Sequence, residues 1–302
     1  MRRQRTALAA VAAVLALGVI ATPAAADLGN GYIGWPDALP GLSAGPAGPP
    51  RPMPGCRSLR LECVSRLVDR LDREWTAENA TCDHRSVFTI AYRRISQDIH
   101  RRLAHHKTFR YPRWFISVVQ AFSDEYFATQ HRFDAGKPIP GAWRIYYQEA
   151  AKGDANAGQD LLLASNAHSN HDLPYAYAAA GLLTPKGASR KHDHDAVNRV
   201  NASVFKGIAR YYAAHYDPFF DSVNETYPLD QLGALQVVQS WRENAWREAE
   251  RLVSAKTAAD RRQVEQEIEQ TSVAWANMIR SFEVPGYRDT RDVYCRAHRA
   301  PG

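Results

Sequence analysis

The side chains best suited to chemistry in this 302-residue chain gather in one run, Asn166-Ala-His168-Ser-Asn170-His171-Asp172-Leu-Pro174, inside an otherwise apolar stretch from Leu161 to Ala180. His168 and Asp172 stand four residues apart, which on a helix puts them on one face, with His171 and Tyr175 flanking. A carboxylate beside an imidazole at that spacing can orient it as a general base, or the two can share one metal ion. The plainer reading is a hydrogen-bonded pair that stitches packed helices together. Pro174 cannot donate to the Asn170 carbonyl, so a kink is expected here, with a carbonyl left for a ligand or water.

A second polar set follows at Lys191-His192-Asp193-His194-Asp195, with His194, Asn198 and Asn201 on one face of the next helix. A short loop after residue 182 can return that helix antiparallel to the first and bring the two sets together. Asp193 or Asp195 is also placed to cap the helix start. Asp124, in a strip with Gln120 and His131, is an additional candidate ligand. Arg242, within Trp241-Arg242-Glu243-Asn244-Ala245-Trp246, has the fork that binds a carboxylate or phosphate, although core packing of the two indoles explains it as well. The expected site is therefore a divalent metal, with zinc first, held by His168, Asp172, His194, Asp195 and Asp124. His168, Asp172 and Arg242 would carry the chemistry, and the metal would supply a nucleophilic water near neutral pH. No phosphate-binding glycine loop, Gly-x-Ser-x-Gly elbow, His-Glu-x-x-His or Cys-x-x-Cys occurs, so the chemistries those motifs mark have no support.

Helices must position these groups. Beyond Cys56 apolar residues recur every three or four positions, with few Gly or Pro. Ser58 is placed to cap a helix bearing Leu61, Val64, Val68, Leu71 and Trp75, and Ser86 another bearing Phe88, Tyr92, Ile95, Ile99 and Leu103. Pro112 suits the first turn of a third, and further helices are expected near 141–152, 156–182, 195–216, 229–254 and 257–282. Alternating β-branched runs with hairpin turns are absent. The fold class is all-α, a single domain of about eight helices over residues 56–302 without internal repeats.

The start of the chain has a different texture. Arg2, Arg3 and Arg5, an apolar run from Ala7 to Ile20, and Ala24-Ala25-Ala26 read as a secretory signal peptide over 1–26. The run is too short for a membrane span, and nothing later is long and apolar enough, so no transmembrane anchor is expected after cleavage. Without those three arginines the formal charge falls from +6 to +3, with acids and bases well mixed, so no specific nucleic-acid partner is implied. Fourteen of residues 27–55 are Gly or Pro, which reads as an extended linker in which Tyr32, Ile33 and Trp35 could dock. A secreted chain makes Cys56, Cys63, Cys82 and Cys295 candidates for two disulfides. A helix between Cys63 and Cys82 would hold them too far apart, and in either remaining pairing Cys295 closes a long loop onto the N-terminal region.

The run from Asn166 to Pro174, together with Asp193-His-Asp195-Ala-Val-Asn198 and Arg242-Glu-Asn-Ala-Trp246, resembles a family of uncharacterised actinobacterial proteins whose hallmark is Asn-Ala-His-Ile-Asn-Tyr-Asp-Leu. Ser169 and His171 stand here where that pattern has Ile and Tyr. The resemblance covers roughly residues 60–285 and implies an all-α fold with the same residues at its site, but no activity. More distantly, His168-x-x-x-Asp172 is similar to the His-x-x-x-Asp of helical zinc phospholipases C and single-strand-specific nucleases, which implies phosphoester hydrolysis. The expectation is a secreted metal-dependent hydrolase of a small or lipid-like anionic substrate. The alternative is an extracellular binding protein in which the same residues form a buried His-Asp-Asn network.

Overall fold

A computed structural model describes residues 39–105, 108–218 and 228–300 of the chain. The signal peptide and Tyr32, Ile33 and Trp35 lie outside these. The helices are α1 Leu61–Thr81, α2 Ser86–Ala104, α3 Pro112–Asp134, α4 Gly141–Lys152, α5 Ala157–Asn166, α6 Leu173–Ala180, α7 Lys191–His215, α8 Pro228–Ser254, α9 Ala258–Arg280 and α10 Tyr287–His298. A π-helical turn, Ala167–Asp172, joins α5 to α6 into one rod. With that rod counted once, nine helices make an all-α fold with no strand among the described residues.

Local chemistry explains most of the boundaries. Pro112 occupies the first turn of α3, where its missing N–H costs nothing. Asn156 with Gln159, and Thr257 with Asp260, form reciprocal capping boxes at α5 and α9. Ser58 and Ser86 do not cap as expected: α1 starts after Arg60, and the Ser86 hydroxyl donates to the Asp83 carbonyl. Neither Asp193 nor Asp195 caps α7, which begins at Lys191. The buried Asp193 carboxylate instead accepts from the Arg110 and Tyr111 amides at 2.7 and 2.6 Å, capping the start of α3 from another helix. The ninth helix, α10, was not expected.

The α5–π–α6 rod is central. It packs against α2, α3, α4, α8 and α9, so a polar run in its middle lies in the molecular core rather than on a face. Around it sits one large apolar cluster that includes Trp114, Trp143, Tyr146, Tyr177, Trp241 and Trp246. The described part of the Gly/Pro-rich segment is not a free linker. Arg247 donates to the Pro40 carbonyl, Leu42 N to Glu250, and Arg190 to the Gly48 carbonyl, while Ser117 donates to the Arg51 carbonyl. Gly45 has φ +81° and lies so close to Val253 that an added Cβ would come within 2.8 Å of its Cγ2. Disulfides join Cys56 to Cys63 and Cys82 to Cys295, so the pair excluded by distance is not formed. The second ties α10 to the α1–α2 corner, where buried Arg291 also meets Asp160, itself 3.0 Å from His84.

Candidate functional site

Pro174 shapes the site from the backbone outward. With no N–H at 174, the α-helical ladder cannot continue through Asn170, and the turn opens so that Leu173 N reaches back five residues to the His168 carbonyl. The expected kink is thus a π-turn, a feature that recurs at functional sites. His168, Ser169, Asn170 and Asp172 are all buried in it. Asn170 Nδ2 donates to Asn166 Oδ1 at 2.9 Å, and Asn166 Nδ2 to the Ser272 carbonyl on α9 at 2.8 Å.

Asp172 is held by three donors. Its Oδ2 accepts from His168 Nδ1 and from Trp143 Nε1, both at 3.0 Å, and its Oδ1 pairs with His171 Nδ1 at 2.8 Å. Burial pushes the Asp172 carboxyl up, but the bonds from the two histidines outweigh it and hold the group below the usual carboxylate range, so it is ionised. An ionised carboxylate only accepts, which assigns the Nδ1 proton to His168. Burial lowers the His168 pKa despite Asp172, keeping the ring neutral. Its Nε2 is then a bare lone pair, and it has no hydrogen-bond partner. By contrast His171, nearer the surface, is raised: burial opposes its charge, but Asp172 favours it more.

Aromatic side chains from other helices hold the His168 ring. Phe122 stacks on it at 3.3 Å between centroids and 9° between planes, and Tyr92 and Phe88 meet it edge-on at 5.0 and 5.8 Å. His168, Tyr92 and Phe122 line a cavity of about 110 Å³ enclosed by α2, α3, the rod, α7 and α8. Most of its wall is apolar, and half-buried Ile95, Leu161, Ser165, Asn201 and Val238 line it where it approaches the surface. The Tyr92 hydroxyl is also buried without a partner. Tyr177 and Arg242 belong to the same wall.

The second polar set lies behind Tyr177. His194 Nδ1 pairs with the Tyr177 hydroxyl at 2.7 Å, and Arg242 bonds Asn198 Oδ1, the Tyr177 hydroxyl and the His194 carbonyl. Among the described residues, His194, Asp195 and Glu243 are the one set of three whose ligand atoms lie within 4.8 Å of one another. Burial and the nearby Arg242, Lys191 and Arg247 drive the His194 pKa far down. The buried Lys191 ammonium is already between the carboxylates, 2.7 Å from Asp195 and 2.9 Å from Glu243, and takes the place a metal cation would occupy.

The five expected metal ligands do not converge. His168 and Asp172 form one pair, His194 and Asp195 belong to the Lys191 network, and Asp124 on α3 accepts from Gln120 Nε2 at 2.7 Å. Three N–H donors already hold the Asp172 carboxylate, and His168 turns its Nδ1 towards it while its unpartnered Nε2 stands on the other side of the ring. Neither donor set fits a metal as it stands. The sequence reading missed Trp143, Tyr92, Phe122, Lys191 and Glu243. Only Lys191 carried a local signal, its four-residue spacing to Asp195.

No curated protein and no solved structure matches the chain, so the likeness to zinc phospholipases C and single-strand-specific nucleases gains no support. A family model described as a family of unknown function (DUF5995) matches residues 64–282, which hold every helix from most of α1 to α9 and both polar sets. The chain belongs to that family.

Proposed function

We propose that the protein binds a small, largely apolar molecule in the core cavity and that His168, oriented by Asp172, accepts a hydrogen bond or a proton from it as a general base, without a metal. The observation that carries this reading is the His168 Nε2 lone pair: buried, neutral, unpartnered and on a ring that lines the cavity. A buried acceptor left unmade costs about 1–3 kcal/mol, and a ligand donor recovers that cost. Asp172 fixes the tautomer and would stabilise an imidazolium formed by proton transfer, the role a carboxylate plays behind any catalytic imidazole. The two disulfides support export to an oxidising compartment, and no described helix is long and apolar enough to cross a membrane.

The binding-protein reading without catalysis has its own support, because Asn166, Asn170 and Asn198 spend hydrogen bonds within the fold. Imidazole ¹⁵N spectroscopy of the mature chain tests the shared core of both readings. The His168 signal is expected to show an unprotonated Nε2 at neutral pH and to move when a small neutral hydrogen-bond donor such as 1-butanol is added. A protonated Nε2, or a signal indifferent to every small donor, refutes the proposal. Elemental analysis of the same sample addresses the metal hydrolase directly. A stoichiometric transition metal lost in His168→Ala would restore that reading.

A further inference from the structure

Arg242 is a buried cation with neutral company. Only 6% of it is exposed, and its three acceptors are an amide, a phenol and a backbone carbonyl. Among the described residues no carboxylate lies within the 4.0 Å of an ion pair. The acids nearby are committed: Glu243 pairs with Lys191 and Arg247, and Asp195 with Lys191. A guanidinium taken out of water without an anion is costly, and one that lines a cavity can be balanced by what enters it.

Two further properties narrow the ligand. The cavity is smaller than an engineered apolar cavity of about 150 Å³ that holds benzene, which limits the body to a few carbons. His168 Nε2 can only accept, so it cannot face a deprotonated oxygen and requires an O–H or N–H. Building on the proposed function, we infer that the cavity takes a short-chain hydroxy acid, its carboxylate on Arg242, its hydroxyl donating to His168 and its carbon body against Phe122 and the aliphatic wall. A phosphate monoester of the same reach is disfavoured, because its second negative charge would find no second cation on this wall.

Calorimetric titration of the full chain with 2-hydroxybutanoate, 2-hydroxybutanamide and butanoate tests this, with the His168 ¹⁵N signal followed in parallel. The hydroxy acid is expected to bind about tenfold or more tightly than its uncharged amide, the difference a charged hydrogen bond makes. Butanoate, which lacks the hydroxyl, is expected to bind more weakly and leave Nε2 unmoved. In Arg242→Gln the preference for acid over amide should vanish while the amide still binds. The wild-type comparison stands alone if that variant fails to fold. Equal binding of acid and amide, both moving Nε2, overturns the anion assignment and leaves the general-base reading intact. Tight binding of the acid with Nε2 unmoved supports Arg242 as the anion seat and overturns both the hydroxyl contact and the proposed role of His168. No binding by any of the three at millimolar concentration overturns the inference.

Discussion

Replacing Asp172 by alanine removes the acceptor for three N–H groups, and the cost follows from where those donors sit. Trp143 is fully buried and His168 is 3% exposed, so both lose a partner that water cannot replace. His171 is nearer the surface and can turn to solvent. Two orphaned buried donors at about 1–3 kcal/mol each give an expected loss of about 2–6 kcal/mol. Urea denaturation followed by far-ultraviolet circular dichroism at neutral pH reads this directly as a lower midpoint at unchanged slope. The double variant Asp172→Ala/Trp143→Phe should lose less than the sum of the two single variants, because it removes one of the orphans, and the thermodynamic cycle isolates the indole–carboxylate coupling from the cavity cost of the smaller ring. A single-variant loss below about 1 kcal/mol, or additive behaviour in the cycle, would refute the claim that this carboxylate organises the site.

Three further outcomes are expected. Burial pushes the Glu78 carboxyl up to about 8, so the folded state holds a proton there that the unfolded chain releases above its usual carboxylate range. That contribution is complete at low pH and is lost as pH rises towards about 8; Glu78→Gln should therefore be increasingly stabilising relative to wild type across this window, by on the order of 1 kcal/mol per pH unit, in denaturation midpoints taken from acid to alkaline pH. Replacing Cys82 and Cys295 by serine opens a loop of 213 residues and should cost about 5 kcal/mol, against about 2 kcal/mol for Cys56 and Cys63 at a separation of 7, and a reversed order in melting experiments would contradict the chain-entropy account. Lys191→Met removes the ammonium between Asp195 and Glu243 and should create a zinc site with His194 Nε2, seen by titration calorimetry as chelator-reversible binding; wild-type protein that binds zinc equally well there would show that Lys191 does not hold the place.

The helical architecture was legible because apolar residues recur every three or four positions beyond Cys56, and distance along α1 was enough to rule out a Cys63–Cys82 bond. The His168–Asp172 pair was legible for the same reason, since a four-residue spacing carries its own geometry. What surrounds it was not, because Phe122, Tyr92 and Trp143 come from three other helices and look in sequence like ordinary core residues. The company of His194 and Asp195 was not legible either, because only the fold brings Glu243 on α8 to Lys191 on α7. Helix α10 offered no apolar stripe, being held by Cys295 and by Arg291 rather than by hydrophobic burial. The Gly/Pro segment from residue 39 looked unstructured because its partners, Arg190, Arg247 and Ser117, act on backbone carbonyls, which every sequence has.

The two cystines differ in when they can form. Cys56 and Cys63 emerge from synthesis almost together and need only the start of α1 to meet. Cys82 must stay reduced until nearly the whole domain has been made, because its partner is 213 residues further along. During that interval its thiol can capture Cys56 or Cys63, so early closure of the short loop is also protection: it takes the competing thiols out of circulation. A chain oxidised too late would face a sorting problem that a chain oxidised in order of synthesis never meets.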